Sequence, residues 1–161
     1  NVLPHAKSFR DTSAVLFATR IGVAWAAVGH AQACYETAVH YAKQRHQFGR
    51  PLAASQIVQE RLTRMLSELT QIQTLVMAMA RKEEAGTLSG PQASLAKYTA
   101  TRTARQVAMN ARDLLGGNGI LMENRVARHF ADIEAIHTYE GTETVQALII
   151  GKSVTGISAY K

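Results

Sequence analysis

Three short segments of this chain carry side chains that helix packing does not call for. The first is Arg45-His46-Gln47-Phe48-Gly49, with Gln56 following eleven residues after the arginine. A guanidinium fork matches phosphate oxygens, and beside it stand an aromatic platform and two amides. The second is Leu115-Gly116-Gly117-Asn118-Gly119, where three glycines let the backbone come close to a flat or charged ligand. The third is Tyr139-Glu140-Gly141-Thr142-Glu143. It places a carboxylate beside a glycine at a helix start, where Thr142 can cap and free N–H groups can face an anion. Each also has a plainer reading. Arg45 suits a helix C-terminus, the glycines suit a C-cap, and Glu140 suits a solvated loop.

The elements that must position these segments are helical. The lead-in Asn1–Thr12 contains Pro4, shows no helical period and reads as extended. A helical pattern then runs over 13–44, with Ile21, Trp25, Val28, Gln32, Tyr35, Val39 and Ala42 on one stripe. Gly49 and Pro51 stop it. A second helix is predicted over 55–84. Val58, Leu62, Met65, Leu69, Ile72, Val76 and Met79 form a bundle-type seam on it. On that seam Met65 and Met79 read as core, Ser55 as a cap and Gly86 as a stop.

Ser89-Gly90-Pro91 opens a third helix, whose inner face is small: Ala93, Ala96, Ala100, Ala104, Val107, Ala111 and Leu114. Small residues let a neighbouring helix approach closely. A short helix over 124–131, an irregular stretch over 132–141 and a last helix from Thr142 to the chain's end complete the reading. Val145, Leu148, Ile149 and Ile157 belong to that last helix. The predicted fold class is all-α, an up-down bundle with short connections and no strands.

Composition bounds the rest. The 161 residues suffice for one core, and 47% hydrophobic content fits a folded protein. The net charge of +6 comes from scattered arginines and lysines. There is no basic run or aromatic interleaving, which argues against a nucleic-acid partner. An anionic, diphosphate-bearing ligand suits the excess better. Cys34 is the single cysteine, so an intrachain disulfide is excluded, and it reads as a small core residue. The six histidines lack metal-ligand spacing, so no metal site is expected. No apolar stretch reads as a membrane span.

Taken in order, these segments resemble the acyl-CoA dehydrogenase family. The resemblance runs from Phe17 to Tyr160. It rests on Arg20, Arg45 to Gly49, Gln56, Leu115 to Gly119, and Tyr139 to Thr142. Pro91-Gln92-Ala93-Ser94-Leu95, Leu114 to Leu121 and His137 to Thr142 are most similar to the glutaryl-CoA dehydrogenase and short-chain acyl-CoA oxidase branch.

The resemblance implies a C-terminal helical bundle over 13–161, preceded by the tail of a β-domain at 1–12. It implies FAD as cofactor and Glu140 as the base that takes the α-proton of an acyl-CoA while hydride passes to flavin. It assigns Arg45, Phe48, Gln56, Asp113, Leu114, Leu115, Gly116, Gly117, Thr142, Glu143 and Thr144 to the flavin, and Arg20 and Gly141 to the substrate side. It further implies a homo-oligomer, a dimer of dimers in which one copy's bundle completes its partner's flavin site. Electron-transferring flavoprotein is the implied acceptor. The implied location is the cytoplasm in a bacterium, or the mitochondrial matrix or peroxisome in a eukaryote.

The chain departs from the family pattern at Asp113, where many members have Gln, and at Phe17, often acidic or polar. It also departs at Glu143-Thr144-Val145-Gln146-Ala147, where many have Ser-Glu-Ile-Gln-Arg. Two other readings stand beside the dehydrogenase: an acyl-CoA oxidase, and a helical assembly module that is inert without its other domains.

Overall fold

In a computed structural model, residues 4–159 are described. Asn1 to Leu3 of the expected β-domain tail, and Tyr160, lie outside them. Five α-helices are found among the described residues: α1 (Phe9–Gln44), α2 (Gln56–Glu84), α3 (Gly90–Leu114), α4 (Val126–Thr138) and α5 (Glu143–Thr155). The all-α reading holds, with one addition. A two-residue hairpin, β1 (His46–Gln47) and β2 (Arg50–Pro51), pairs antiparallel between α1 and α2.

The centre of the bundle is α3, which packs against all four other helices. Every residue of its expected inner face is buried. Its N-terminus is fixed by a capping box between Ser89 and Gln92, with Pro91 in the first turn. The α2 seam also forms as read. Met65, Leu69, Ile72 and Val76 are buried, while Val58, Leu62 and Met79 pack partly against them.

Several boundaries differ from the expectation. α1 begins at Phe9 rather than near Ser13, because Ser8 and Asp11 make a capping box. The backbone N–H of Ser8 donates to Asp11 Oδ2 at 3.0 Å. The stripe read on α1 is buried only in part, at Ile21, Val28 and Ala42. Ala24, Ala27, Ala31, Cys34, Ala38 and Ala42 are fully buried, whereas Gln32 is exposed and Trp25, Tyr35 and Val39 are half-buried. α1 lies against α2, α3 and α4, and only small residues let three helices come that close. Burial pushes the Cys34 thiol up to about 12.

Residues 132–138, expected to be irregular, continue α4, because Ile133 and Ile136 carry the buried stripe begun by Val126. α5 stops at Thr155 with Gly156 left-handed at φ 73°, short of the expected chain end. Ser55 makes no side-chain cap. α1 is, by length and composition, apolar enough to cross a membrane, contrary to the sequence reading. Here its apolar residues from Ile21 to Ala42 line the core.

Two histidines join α1 to α4. His30 Nδ1 and His129 Nδ1 face each other at 2.9 Å. Contact at that distance requires at least one ring nitrogen without a proton. Burial, then His30, holds His129 below the ordinary histidine value. The unfolded chain therefore binds more protons than the folded one as pH falls through about 6.5. Since stability rises with pH wherever the unfolded state holds more protons, it should fall on acidification through that window. Urea midpoints at neutral and mildly acidic pH are expected to show the loss, and His129→Gln should flatten it. An unchanged slope in that variant would contradict the assignment.

Candidate active site

Helix α4 ends at Thr138 and α5 begins at Glu143, so Tyr139 to Thr142 must turn the chain. Glu140 does so at φ 62° and Gly141 at φ 89°. The left-handed region costs a non-glycine residue roughly 1–2 kcal/mol, so surrounding contacts must hold it. They come from two buried side chains. Lys97 Nζ donates to the carbonyls of Tyr139 and of Gly141, the latter at 2.5 Å. Gln146 Nε2 donates to Glu140 O at 3.1 Å and Gly141 O at 3.0 Å. At Gly141 a Cβ would stand 2.7 Å from Gln146 Nε2, so both conformation and space demand glycine.

The turn delivers the Glu140 carboxylate to α1. Thr19 Oγ1 donates to Glu140 Oε1, while Glu140 Oε2 is buried without a hydrogen-bond partner. Next to Thr19 is Arg20, only 6% exposed. Its Nη1 donates to Ser94 Oγ at 3.2 Å, and its Nε is buried and unpaired. Burial pulls Arg20 below the usual guanidinium value, against the attraction of Glu140. Burial likewise pulls Lys97 down to about 8; Glu140 opposes that shift and Arg20 adds to it. Two buried cations thus flank one carboxylate, and the carboxylate keeps one oxygen free to accept a proton.

Beyond Glu140, Thr142 caps α5 by accepting from Val145 N at 3.4 Å. Glu143 is engaged within the chain. Arg102 donates to its Oε1, and His137 Nε2 lies 3.0 Å from its Oε2. His137 Nδ1 meets Thr101 Oγ1 at 3.1 Å, and burial, then Arg105, lowers its pKa. Thr144 is exposed.

The remaining expected cofactor residues gather at the other end of α1. Arg45 is its C-cap. The hairpin turn follows, with Phe48 at φ 53° and Gly49 at φ 77°. The Phe48 ring is fully exposed. Arg45 lines a cleft of about 550 Å³ together with Asp113, Leu114, Leu115, Gly116 and Gly117. The glycine cluster divides by role. A Cβ on Gly116 or Gly117 would meet open space, whereas one on Gly119 would stand 2.1 Å from Arg112 O. The first two leave backbone accessible at the cleft, and the third permits a tight turn. Asp113 is paired with Arg112. Gln56 is exposed on the first turn of α2, outside the cleft lining.

The two clusters do not meet within one chain. Arg20, beside Glu140, and Arg45 are roughly 38 Å apart at a helical rise of 1.5 Å per residue. The cleft fits a dinucleotide in its donors, a forked cation and open glycine backbone, and the unburied Phe48 ring stands on the adjoining hairpin turn. Among the described residues no group of His, Cys, Asp and Glu could hold a metal ion.

Fold and site together define a helical-bundle domain with a half-buried carboxylate toward one end and a glycine-lined cleft at the other. The chain belongs to the acyl-CoA dehydrogenase family: residues 9–155 match its C-terminal domain. A 3-(aryl)acrylate reductase from Clostridium sporogenes is 38% identical over 148 residues, covering 92% of this chain and 39% of the reductase. Glutaryl-CoA dehydrogenase from Mycobacterium smegmatis has the same fold, with a TM-score of 0.94 at 38% identity over 99% of this chain and 41% of that one. A glutaryl-CoA dehydrogenase from Mycobacterium smegmatis in complex with FADH2 also superposes at a TM-score of 0.94, with 35% identity over 98% of this chain and 41% of that one. This chain therefore spans about two-fifths of the length of these relatives.

Thr19, Ser94, Lys97 and Gln146 escaped the sequence reading. Lys97 carried a signal. It falls on the inward stripe of α3 between Ala93 and Ala100, where a lysine must find buried acceptors. Gly141→Ala is expected to destabilise the protein by about 2 kcal/mol through strain and the Gln146 clash. Urea unfolding measures this, and a stability equal to wild type would contradict the turn geometry.

Proposed function

We propose that this chain is the base-bearing domain of an FAD-dependent dehydrogenase of short-chain or glutaryl-type acyl-CoA thioesters. The observation that carries the reading is the Glu140 carboxylate, half-buried, with one oxygen partnered by Thr19 and the other buried and free. An α-proton is weakly acidic, so its removal needs a base in a water-poor site and stabilisation of the thioester oxygen as charge grows. Glu140 takes the proton on Oε2. Its backbone N–H makes no hydrogen bond among the described residues and can donate to the thioester oxygen.

Flavin, when bound, supplies the acceptor for the hydride that leaves the β-carbon. Arg45, Phe48, Gly116 and Gly117 suit its phosphates and rings, and the relative bound to FADH2 supports the cofactor. Because the cleft and Glu140 lie far apart on one chain, two copies share each site. The cleft of one copy holds the cofactor that serves Glu140 of another, in a homo-oligomer arranged as a dimer of dimers. The rest of the site, including a β-domain, lies in sequence beyond this chain. Electrons pass on to an electron-transferring flavoprotein.

Bleaching of the yellow flavin band by a short acyl-CoA, in the full-length protein, tests the reading. Glu140→Gln is expected to bind acyl-CoA yet bleach some 10²- to 10⁴-fold more slowly, the usual contribution of a positioned general base. Bleaching at the wild-type rate would overturn it.

A further inference from the structure

We propose that Lys97 is the positioning residue for Glu140: from inside α3 it grips the carbonyls on both sides of the base and so fixes where the carboxylate stands. The inference rests on Glu140 being the base, as proposed above.

Lys97 is 1% exposed, the largest of the fully buried side chains. Taking an ammonium out of water is costly unless hydrogen-bonded partners replace the water. Packing does not require a lysine here. Its buried neighbours one turn away are Ala93, Ser94, Ala100 and Thr101, none of which carries a charge, and an unbranched apolar chain such as Met occupies similar space. The cation is therefore explained by what it binds. Its two acceptors, Tyr139 O and Gly141 O, bracket Glu140. Gln146, fully buried, donates to the carbonyl between them, that of Glu140, and shares the Gly141 carbonyl with Lys97. Three successive carbonyls thus end on two buried donor groups.

Such a clamp is what a left-handed glutamate needs. Unusual backbone persists only where its surroundings over-determine it. Released from Lys97, Glu140 is free to return to the ordinary helical or extended regions, which carries the carboxylate away from Thr19 and Arg20. Capping of α4 is the competing explanation, since cations favour helix C-termini. Capping serves the last carbonyls of a helix. Tyr139 is the C-cap of α4, so capping covers that bond, but Gly141 lies two residues beyond the cap and capping leaves the bond to its carbonyl unexplained. The charge has a second effect. Lys97 on α3 and Arg20 on α1 both attract Glu140, so the carboxylate is drawn toward both helices as well as tethered by its backbone.

The experiment compares Lys97→Met, Glu140→Gln and the double variant in the full-length protein loaded with FAD. Turnover, single-turnover bleaching, KM and thermal midpoint are read for each. A base displaced by about an ångström loses roughly 100-fold in rate, so Lys97→Met is expected to lower kcat by that factor. KM and flavin content should stay within about threefold of wild type. In the Glu140→Gln background the same substitution should cost no further rate, because its effect runs through Glu140. Its cost in thermal midpoint should be equal in both backgrounds. Gln146→Met removes the other half of the clamp and is expected to show the same pattern. It carries the test if Lys97→Met does not fold.

Wild-type kcat in either clamp variant would overturn the proposal. So would a rate loss that persists undiminished in the Glu140→Gln background, which marks a role in folding alone. If Glu140→Gln itself keeps the wild-type rate, the base assignment fails, and the proposal fails with it. A slow Glu140→Gln beside a fast Lys97→Met defeats the positioning role only.

Discussion

A helix packed against four others can carry a polar residue on its inner face only if a neighbouring element accepts or donates to it. α3 is that helix here, and the site follows from the constraint. Its alanines let α1, α2, α4 and α5 come close. The polar groups it keeps inside then select what lies against them. Ser94 accepts from Arg20 on α1. Thr101 meets His137 on α4. Lys97 holds the turn between α4 and α5. Each contact ties an outer element to the central helix at a defined height, and Glu140 stands between Arg20 and Lys97.

The same framework explains why the chemistry is split between two ends. α1 is a long, unbroken rod whose small residues keep it flat against the core. One part of it carries Thr19 and Arg20 to the base, and its end carries Arg45 to the glycine-lined cleft. A rigid rod cannot bring its own ends together, and the proposed sharing of each site between two copies rests on that separation. The openness of Gly116 and Gly117, and the bare ring of Phe48, suit surfaces that meet another molecule.

Much of this was legible in the sequence, for identifiable reasons. The stripe on α3 and the seam on α2 face one way, and their periodicity names the buried residues directly. α1 defeated the same method because it packs on three neighbours. Its closest contacts fall on Ala24, Ala31, Cys34 and Ala38, while larger side chains such as Trp25 and Tyr35 sit at the margins. The end of α4 was missed because Ile133 and Ile136 extend a stripe that looks too short until Val126 is counted with them. The glutamate beside a glycine could be singled out as chemistry. Its left-handed backbone could not, since φ at one residue leaves no periodic trace. The clamp was half visible: a lysine on an alanine face signals buried acceptors without saying where they are.

The central claim is that Glu140 removes a proton from the α-carbon of an acyl thioester. Hydrogen exchange tests it without any need for oxidation. An acyl-CoA that has α-hydrogens but no β-hydrogens is incubated in deuterated buffer with the full-length, FAD-loaded protein, and α-deuterium is followed by mass spectrometry. Deuterium is expected to enter the α-position with the wild-type protein and to stop entering with Glu140→Gln. Incorporation at an undiminished rate in that variant would contradict the account.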